Sequence, residues 1–236
     1  MNEPLVLMPG MMCDARLFLP QITAFSADRA VQVANITQGE KIEVMAEAVL
    51  KDAPEKFALA GLSMGAIVAM EVQRRAPERV TRIALMDTNS QAETPPVAAM
   101  REPQIVGART GRLAEVMRDV MRPEFLAPGP RRHEVLDLMQ QMAMDLGPEV
   151  FVRQSRALQR RPDQQKTLRK LRVPALVLCG EHDGLTPVRR HDFMAGLIPY
   201  ATLNIIPDAG HIPTLEQPDA TTAALRHWLG APLVLR

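Results

Sequence analysis

Three side chains in this sequence have the types that turn a hydroxyl into a nucleophile: Ser63, Asp183 and His211, in that order along the chain. A free serine hydroxyl is far too weak a nucleophile near neutral pH, and imidazole is the side chain whose basicity suits removal of its proton. A carboxylate on the second ring nitrogen fixes the tautomer and stabilises the imidazolium. Such a set performs acyl transfer. Ser63 sits in Gly61-Leu62-Ser63-Met64-Gly65, which fits Gly-x-Ser-x-Gly. Alone, that pattern is often only a turn, and its flanks give it meaning. Lys56-Phe57-Ala58-Leu59-Ala60 precedes it at strand length, and the apolar run Ala66–Ala76, closed by Pro77, follows at helix length. Strand, sharp turn and helix together lift the serine hydroxyl above a sheet edge. Gly61 and Gly65 are expected where neighbouring backbone leaves no room for a Cβ.

The elements that must position these groups follow from the apolar pattern. Residues 4–8 read as a buried strand ending in the turn Pro9-Gly10-Met11-Met12. A short helix from Ala15 to about Phe25, broken or begun near Pro20, comes next. Residues 30–35 read as a second strand. Ile42, Met45, Ala46 and Val49 recur at helical spacing over 41–52. The strand at 56–60, the helix to Ala76 and a strand over 80–86, ending at Asp87, continue the alternation. It resumes with a strand over 174–179, a helix over 188–197, a strand over 201–206 and a helix over 218–229. Strands and helices alternating at this spacing predict a parallel, doubly wound α/β sheet of about six strands. Sites in such sheets form at the carboxyl ends of the strands. Ser63, Asp183 and His211 each follow a strand.

Each role has a rival. Asp87 also ends a strand and competes with Asp183 as the acid. His182 adjoins Asp183, but adjacent loop residues seldom face each other. His133, His191 and His227 lie on predicted helices, as surface or packing residues. Two backbone N–H groups are expected to hold the oxyanion: that of Met64, which follows the nucleophile, and that of Met11, with Met12 as the next choice. Met11, Met12 and Met64 are also the expected substrate-lining side chains. No His/Cys/Asp set has metal-ligand spacing, so neither a metal nor a cofactor is expected.

Between about 90 and 172 only helical patterns occur. Leu113, Val116, Met117, Val120 and Met121 share one face, and Val135, Leu138, Met139, Met142 and Leu146 another. Pro-Gly clusters at 128–130 and 147–148 interrupt them. This predicts an all-helical cap over residues 90–172, inserted into a core of residues 1–89 and 173–236. Residues 91–172 carry 15 basic against 10 acidic side chains, and the rest of the chain 13 against 17. The basic excess reads either as solvated helix faces or as a surface for an anionic substrate or an acidic acyl-carrier protein.

The bulk composition excludes other classes. The net charge of +1 over 236 residues supplies no field for nucleic acid or a membrane surface. Cys13 and Cys179, far apart, suggest no disulfide framework and suit a reducing compartment. No apolar run reaches the length of a membrane span, and no signal-type segment precedes residue 4. These features lead to the expectation of a cytoplasmic protein.

Taken together, the sequence resembles the α/β-hydrolase family over nearly its whole length. The resemblance rests on Leu7-Met8-Pro9-Gly10-Met11-Met12, Gly61 to Gly65, Gly180-Glu181-His182-Asp183, and Gly210-His211 through Glu216-Gln217-Pro218. It implies a mainly parallel sheet with a helical cap inserted after the strand ending at Asp87. Two features depart from the family pattern. The first loop reads Pro-Gly where many members have His-Gly, and two strands that often precede it are missing, as in a small version of the fold. A serine at the nucleophile position argues against the dehalogenase and epoxide-hydrolase branches. The expected activity is hydrolysis of a small carboxylic ester through a Ser63 acyl-enzyme. Thioester hydrolysis, hydrolysis of a carrier-linked methyl ester, carbon–carbon bond hydrolysis and lyase chemistry are alternatives on the same triad. A non-catalytic ligand-binding protein on this scaffold is the alternative outside enzymes.

Overall fold

The computed structural model describes residues 2–233. In chain order, β1 (Leu5–Met8) is followed by a 3-10 turn (Ala15–Phe18), α1 (Leu19–Phe25), β2 (Val31–Val33), α2 (Ile42–Asp52), β3 (Phe57–Leu62), α3 (Met64–Arg75) and β4 (Val80–Met86). Next come five helices: α4 (Pro95–Arg109), α5 (Leu113–Val120), α6 (Arg132–Leu146), α7 (Pro148–Gln159) and α8 (Gln165–Arg169), with a 3-10 turn at Pro123–Phe125. The chain then forms β5 (Ala175–Gly180), α9 (Val188–Leu197), β6 (Ala201–Ile206), α10 (Pro213–Glu216) and α11 (Pro218–Leu229).

All strand pairings are parallel, and the strand order is β2-β1-β3-β4-β5-β6. The central strands are buried on both faces, as their continuous apolar sequences require. One face packs Leu59, Leu85 and Val177 against α2, α3 and α9, and the other packs Leu7, Ala60 and Leu178 against α1 and α11. The strand order reverses between β1 and β3. The loops after these strands therefore diverge and leave a crevice at their carboxyl ends. Among the described residues, no helix is long and apolar enough to cross a membrane.

Two elements differ from the sequence reading for local reasons. The helix expected over Ala15–Phe25 is split. The Asp14 side chain accepts the Arg16 N–H at 2.9 Å and starts a 3-10 turn, and α1 begins only with Pro20 in its first turn. The strand expected over 30–35 is limited to Val31–Val33, because Asn35 Oδ1 captures the Thr37 N–H at 2.9 Å and bends the chain away. The short helix α10 lies in a stretch where no element was expected.

Candidate active site

Ser63 lies between β3 and α3 with φ 54° and ψ −115°, a conformation that a side chain with a Cβ seldom adopts. The turn holds because its neighbours are pressed together. A Cβ on Gly61 would stand 2.5 Å from the carbonyl carbon of Gly65, and one on Gly65 would stand 2.0 Å from the Met8 oxygen. The Ser63 N–H bonds to the Met86 carbonyl at 2.8 Å, and the Ser63 carbonyl accepts the Thr88 hydroxyl at 2.9 Å. The strain is thus fixed by β4 on one side and by β1 on the other.

The structure brings the three residues expected from sequence into one chain of contacts. His211 Nε2 lies 3.0 Å from Ser63 Oγ, and His211 Nδ1 lies 2.9 Å from Asp183 Oδ2. Asp183 and His211 are buried. Asp183 Oδ1 accepts the N–H groups of Leu185 and Thr186, both at 2.8 Å, and Oδ2 accepts the Thr186 hydroxyl at 2.5 Å. Burial works to raise the Asp183 pKa. It is outweighed by the charge of His211 and by these hydrogen bonds, which hold the carboxyl well below the usual range.

Asp87 stands nearby, and its pKa is shifted in the opposite direction. Its Oδ1 accepts the Gly180 N–H at 2.9 Å, while Oδ2 has no partner among the described residues. Burial first, and then the neighbouring charge of Asp183, raise its pKa well above the usual value. Asp183, not Asp87, faces His211 Nδ1. Asp87, Asp183 and His211 offer ligand-type atoms within 4.8 Å of one another, a grouping that spacing along the chain does not reveal. Asp183 and His211 commit those atoms to each other and to Ser63, Thr186 and Leu185.

The other histidines divide by burial. His182 is exposed and pairs with Glu181 at 3.9 Å. His191 is buried on α9, where Nε2 accepts the Thr88 N–H at 2.9 Å. Burial lowers its pKa to about 4, so it is neutral near pH 7. Burial, followed by the charge of Asp14, pushes the Cys13 thiol up to about 12. Cys13 is therefore no competing thiolate nucleophile.

Ser63 and His211 open into a cavity of about 440 Å³, within the size range of small-molecule sites. Met11 and Met64 line it, joined by Met100, Met117, Met121 and Met139 from the helical segment. The N–H groups of Met11 and Met64 bond to no other described residue. Met12 is a correction on both counts. Its φ of 56° turns its side chain away from the cavity into a buried cluster with Ile105, Leu113 and Phe151. Its N–H donates to Gln154 Oε1 at 2.8 Å, so it neither lines the cavity nor offers a free donor.

Two organising residues were given no role by the sequence reading. Gln154, buried on α7, accepts the Met12 N–H and donates to the Ile36 carbonyl at 3.2 Å. Glu216, at the end of α10, accepts the N–H groups of Gly210, Ile212 and Ala127 at 2.7–2.9 Å. The His211 N–H donates to the Phe125 carbonyl at 2.8 Å, so the histidine loop is tied to the helical segment. Glu216 stands four to six residues from two of its donors inside a quoted motif, a spacing that hints at a loop clamp.

A strained serine, a buried imidazole–carboxylate pair and two free N–H groups beside a cavity define the class of serine hydrolases that act by acyl transfer. The sequence pattern of the Alpha/beta hydrolase family matches residues 9–225, and the chain belongs to that family. It is 26% identical to a pimeloyl-[acyl-carrier protein] methyl ester esterase of Vibrio parahaemolyticus, over 94% of this chain and 92% of the relative. Among solved structures it is similar to a malate-bound thermophilic esterase from Thermogutta terrifontis. That match has a TM-score of 0.87 and 28% identity and covers 97% of this chain and 89% of the other. The enol-lactonase of Burkholderia xenovorans LB400 shares the fold, with a TM-score of 0.85, 24% identity and coverage of 98% and 92%.

Proposed function

We propose that this ester hydrolase works through an acyl-enzyme on Ser63. His211 Nε2 takes the hydroxyl proton as Ser63 Oγ bonds to the ester carbonyl carbon. The Met11 and Met64 N–H groups receive the negative charge on the carbonyl oxygen. Collapse of the tetrahedral intermediate breaks the bond to the alcohol oxygen, and His211 returns the proton to it. Water then attacks the acyl-enzyme by the same steps and releases the acid. Asp183 orients His211 and stabilises its cationic form. The helical segment over residues 90–172 serves as the cap that shapes the cavity. The observation that carries this reading is the unbroken run Ser63 Oγ–His211–Asp183, with separations of 3.0 and 2.9 Å. A fluorophosphonate probe should label Ser63. Ser63→Ala should abolish labelling and lower p-nitrophenyl ester hydrolysis by at least about 10⁴-fold. Turnover persisting in that variant overturns the mechanism.

A carrier-linked methyl ester is the second reading for the substrate. It is favoured by the basic excess of residues 91–172 and by the relative that acts on a pimeloyl-carrier methyl ester. Arg109, Arg112, Arg118 and Arg122 are exposed and form no ion pair with a described carboxylate. If an acidic carrier docks there, kcat/KM for the carrier-linked ester falls steeply between 50 and 300 mM salt, and that for a small neutral ester does not. Equal salt responses would remove this reading.

A further inference from the structure

The cavity beside Ser63 is mostly apolar, but one part of its wall is crowded with guanidinium groups. Arg101, Arg161 and Arg190 all line it, together with Gln91 and Glu93. Glu93 is the one carboxylate in this group, and its side chain is only 2% exposed. Arg101 holds it in a bidentate pair, with Nε–Oε2 at 2.9 Å. Arg161 reaches the same carboxylate only at 3.9 Å, and its Nε donates to the Gln91 carbonyl at 3.0 Å. Arg190 donates to the Gln91 side-chain oxygen and has no carboxylate partner among the described residues. Asp119 and Arg122 also line the cavity, and Asp119 forms no ion pair with these arginines, so three cations share one carboxylate and two positive charges are left uncompensated among the described residues.

Such an excess is costly to bury. Arg161 is 13% exposed and Arg101 17%. Burial, together with repulsion from Arg101 and Arg190, lowers the Arg161 pKa to about 10. A cavity meant for a wholly apolar ester would be more stable with apolar side chains at these positions. Guanidinium groups with unused N–H donors match the two oxygens of a carboxylate.

We infer that the substrate of the Ser63 site carries a free carboxylate, which binds Arg190 and Arg161 while the ester lies at Ser63. The substrate class is then a half-ester of a small dicarboxylic acid, or an ester whose alcohol part bears a carboxylate. This rests on the ester-hydrolase reading above and narrows it. Arg101 stays with Glu93 and keeps that wall in place, while the uncompensated pair meets the ligand. The carboxylate end is bound in substrate and transition state alike, so its contribution appears chiefly in KM.

The experiment compares p-nitrophenyl monoesters of glutaric, adipic and suberic acids with p-nitrophenyl esters of the matching monocarboxylic acids. Adipate and its neutral diamide are tested in parallel for binding to the Ser63→Ala protein. The native enzyme should prefer the best anionic ester by about tenfold or more in kcat/KM. Adipate should bind and the diamide should not. In Arg190→Gln the preference should fall to about twofold or less. Arg161→Gln should do the same, and a circular-dichroism melt checks that each variant is folded. Equal kcat/KM for anionic and neutral esters in the native enzyme overturns the inference, as does a preference unchanged in Arg190→Gln. Adipate binding without turnover of any ester would leave the carboxylate site standing and overturn the hydrolase reading instead.

Discussion

The cavity is bounded by two regions built on different principles. One side consists of strand ends: Ser63 after β3, Asp183 after β5 and the His211 loop after β6. There, functional atoms are fixed by backbone. Gly65 admits Met8 at a distance that no Cβ allows, and Asp183 is held by two N–H groups of its own loop. The other side consists of the helices between β4 and β5, where functional atoms are the ends of long side chains such as Arg101, Arg161 and Gln154. Charge divides the same way only in part. The strand-end side gathers Asp87, Asp183 and Glu216 but also brings Arg190 from α9 to the cavity wall, and the helical side supplies Arg101 and Arg161 together with Glu93.

The sharpest way to break that comparison is to test the two acids at neighbouring strand ends. Asp183 is bonded to His211 and held well below the usual carboxylate range, whereas burial and the charge of Asp183 push the Asp87 carboxyl well above it. Asparagine is a neutral isostere of the same size. Asp183→Asn therefore removes a charge and the acceptor that selects the tautomer, and should lower kcat by about 10⁴-fold. Asp87→Asn keeps an oxygen that can accept the Gly180 N–H and removes no contact to His211 or Ser63, so it should cost less than about tenfold. Rates for both variants on one p-nitrophenyl ester decide the matter. If Asp87→Asn were as damaging as Asp183→Asn, the orienting charge would be shared between the two strand ends.

A second test asks whether the strand-end side depends on His191. This ring accepts the Thr88 N–H, and Thr88 in turn holds the Ser63 carbonyl. Its pKa is about 4 in the folded protein, below the ordinary 6.5. Between these values the unfolded chain takes up a proton that the native protein refuses. The stability contributed by the neutral ring is therefore complete above about pH 6.5 and is lost as pH falls toward 4. The loss amounts to about 3 kcal/mol. Denaturant melts from pH 7.5 to 4 should show it. His191→Gln, which keeps an acceptor but does not titrate there, should flatten that limb. An unchanged slope in the variant would assign the acid sensitivity to other groups.

These two sides also explain what could be read from the sequence. Ser63, Asp183 and His211 were legible because each follows a strand whose apolar run is unmistakable, and parallel strands of one sheet end on one edge. The Gly61 and Gly65 requirement was legible because small residues flank the serine in every reading of the turn. Met12 was misread because its direction depends on a positive φ that no residue type announces. Gln154 lay hidden because its partners, Met12 and Ile36, are 142 and 118 positions away, and only packing of α7 brings them together. The arginines gave their charge as a regional excess, but not which of them face the cavity. Periodicity identifies a helix and its apolar face, whereas the docking of that helix decides which polar ends reach inward.

Gln154 is one of the points where the two regions meet, and it offers the finest test of their separation. It belongs to the helical side, yet its Oε1 holds the loop that carries the Met11 N–H. Gln154→Ala leaves a buried N–H on Met12 and a carbonyl on Ile36 without partners, and frees a loop whose φ of 56° is otherwise sustained by that bond. If Met11 serves the oxyanion, loosening its loop weakens a contact made in the transition state. In that case kcat falls by about tenfold while KM for a small ester changes little. Gln154→Glu should recover most of the loss, since a buried carboxylic acid still accepts from Met12 and donates to Ile36. A merely structural role predicts a lower melting temperature with kcat intact. That result would remove the Gln154 bond as a link to the chemistry and leave the helical side tied to it through Phe125 and Ala127 at the histidine loop.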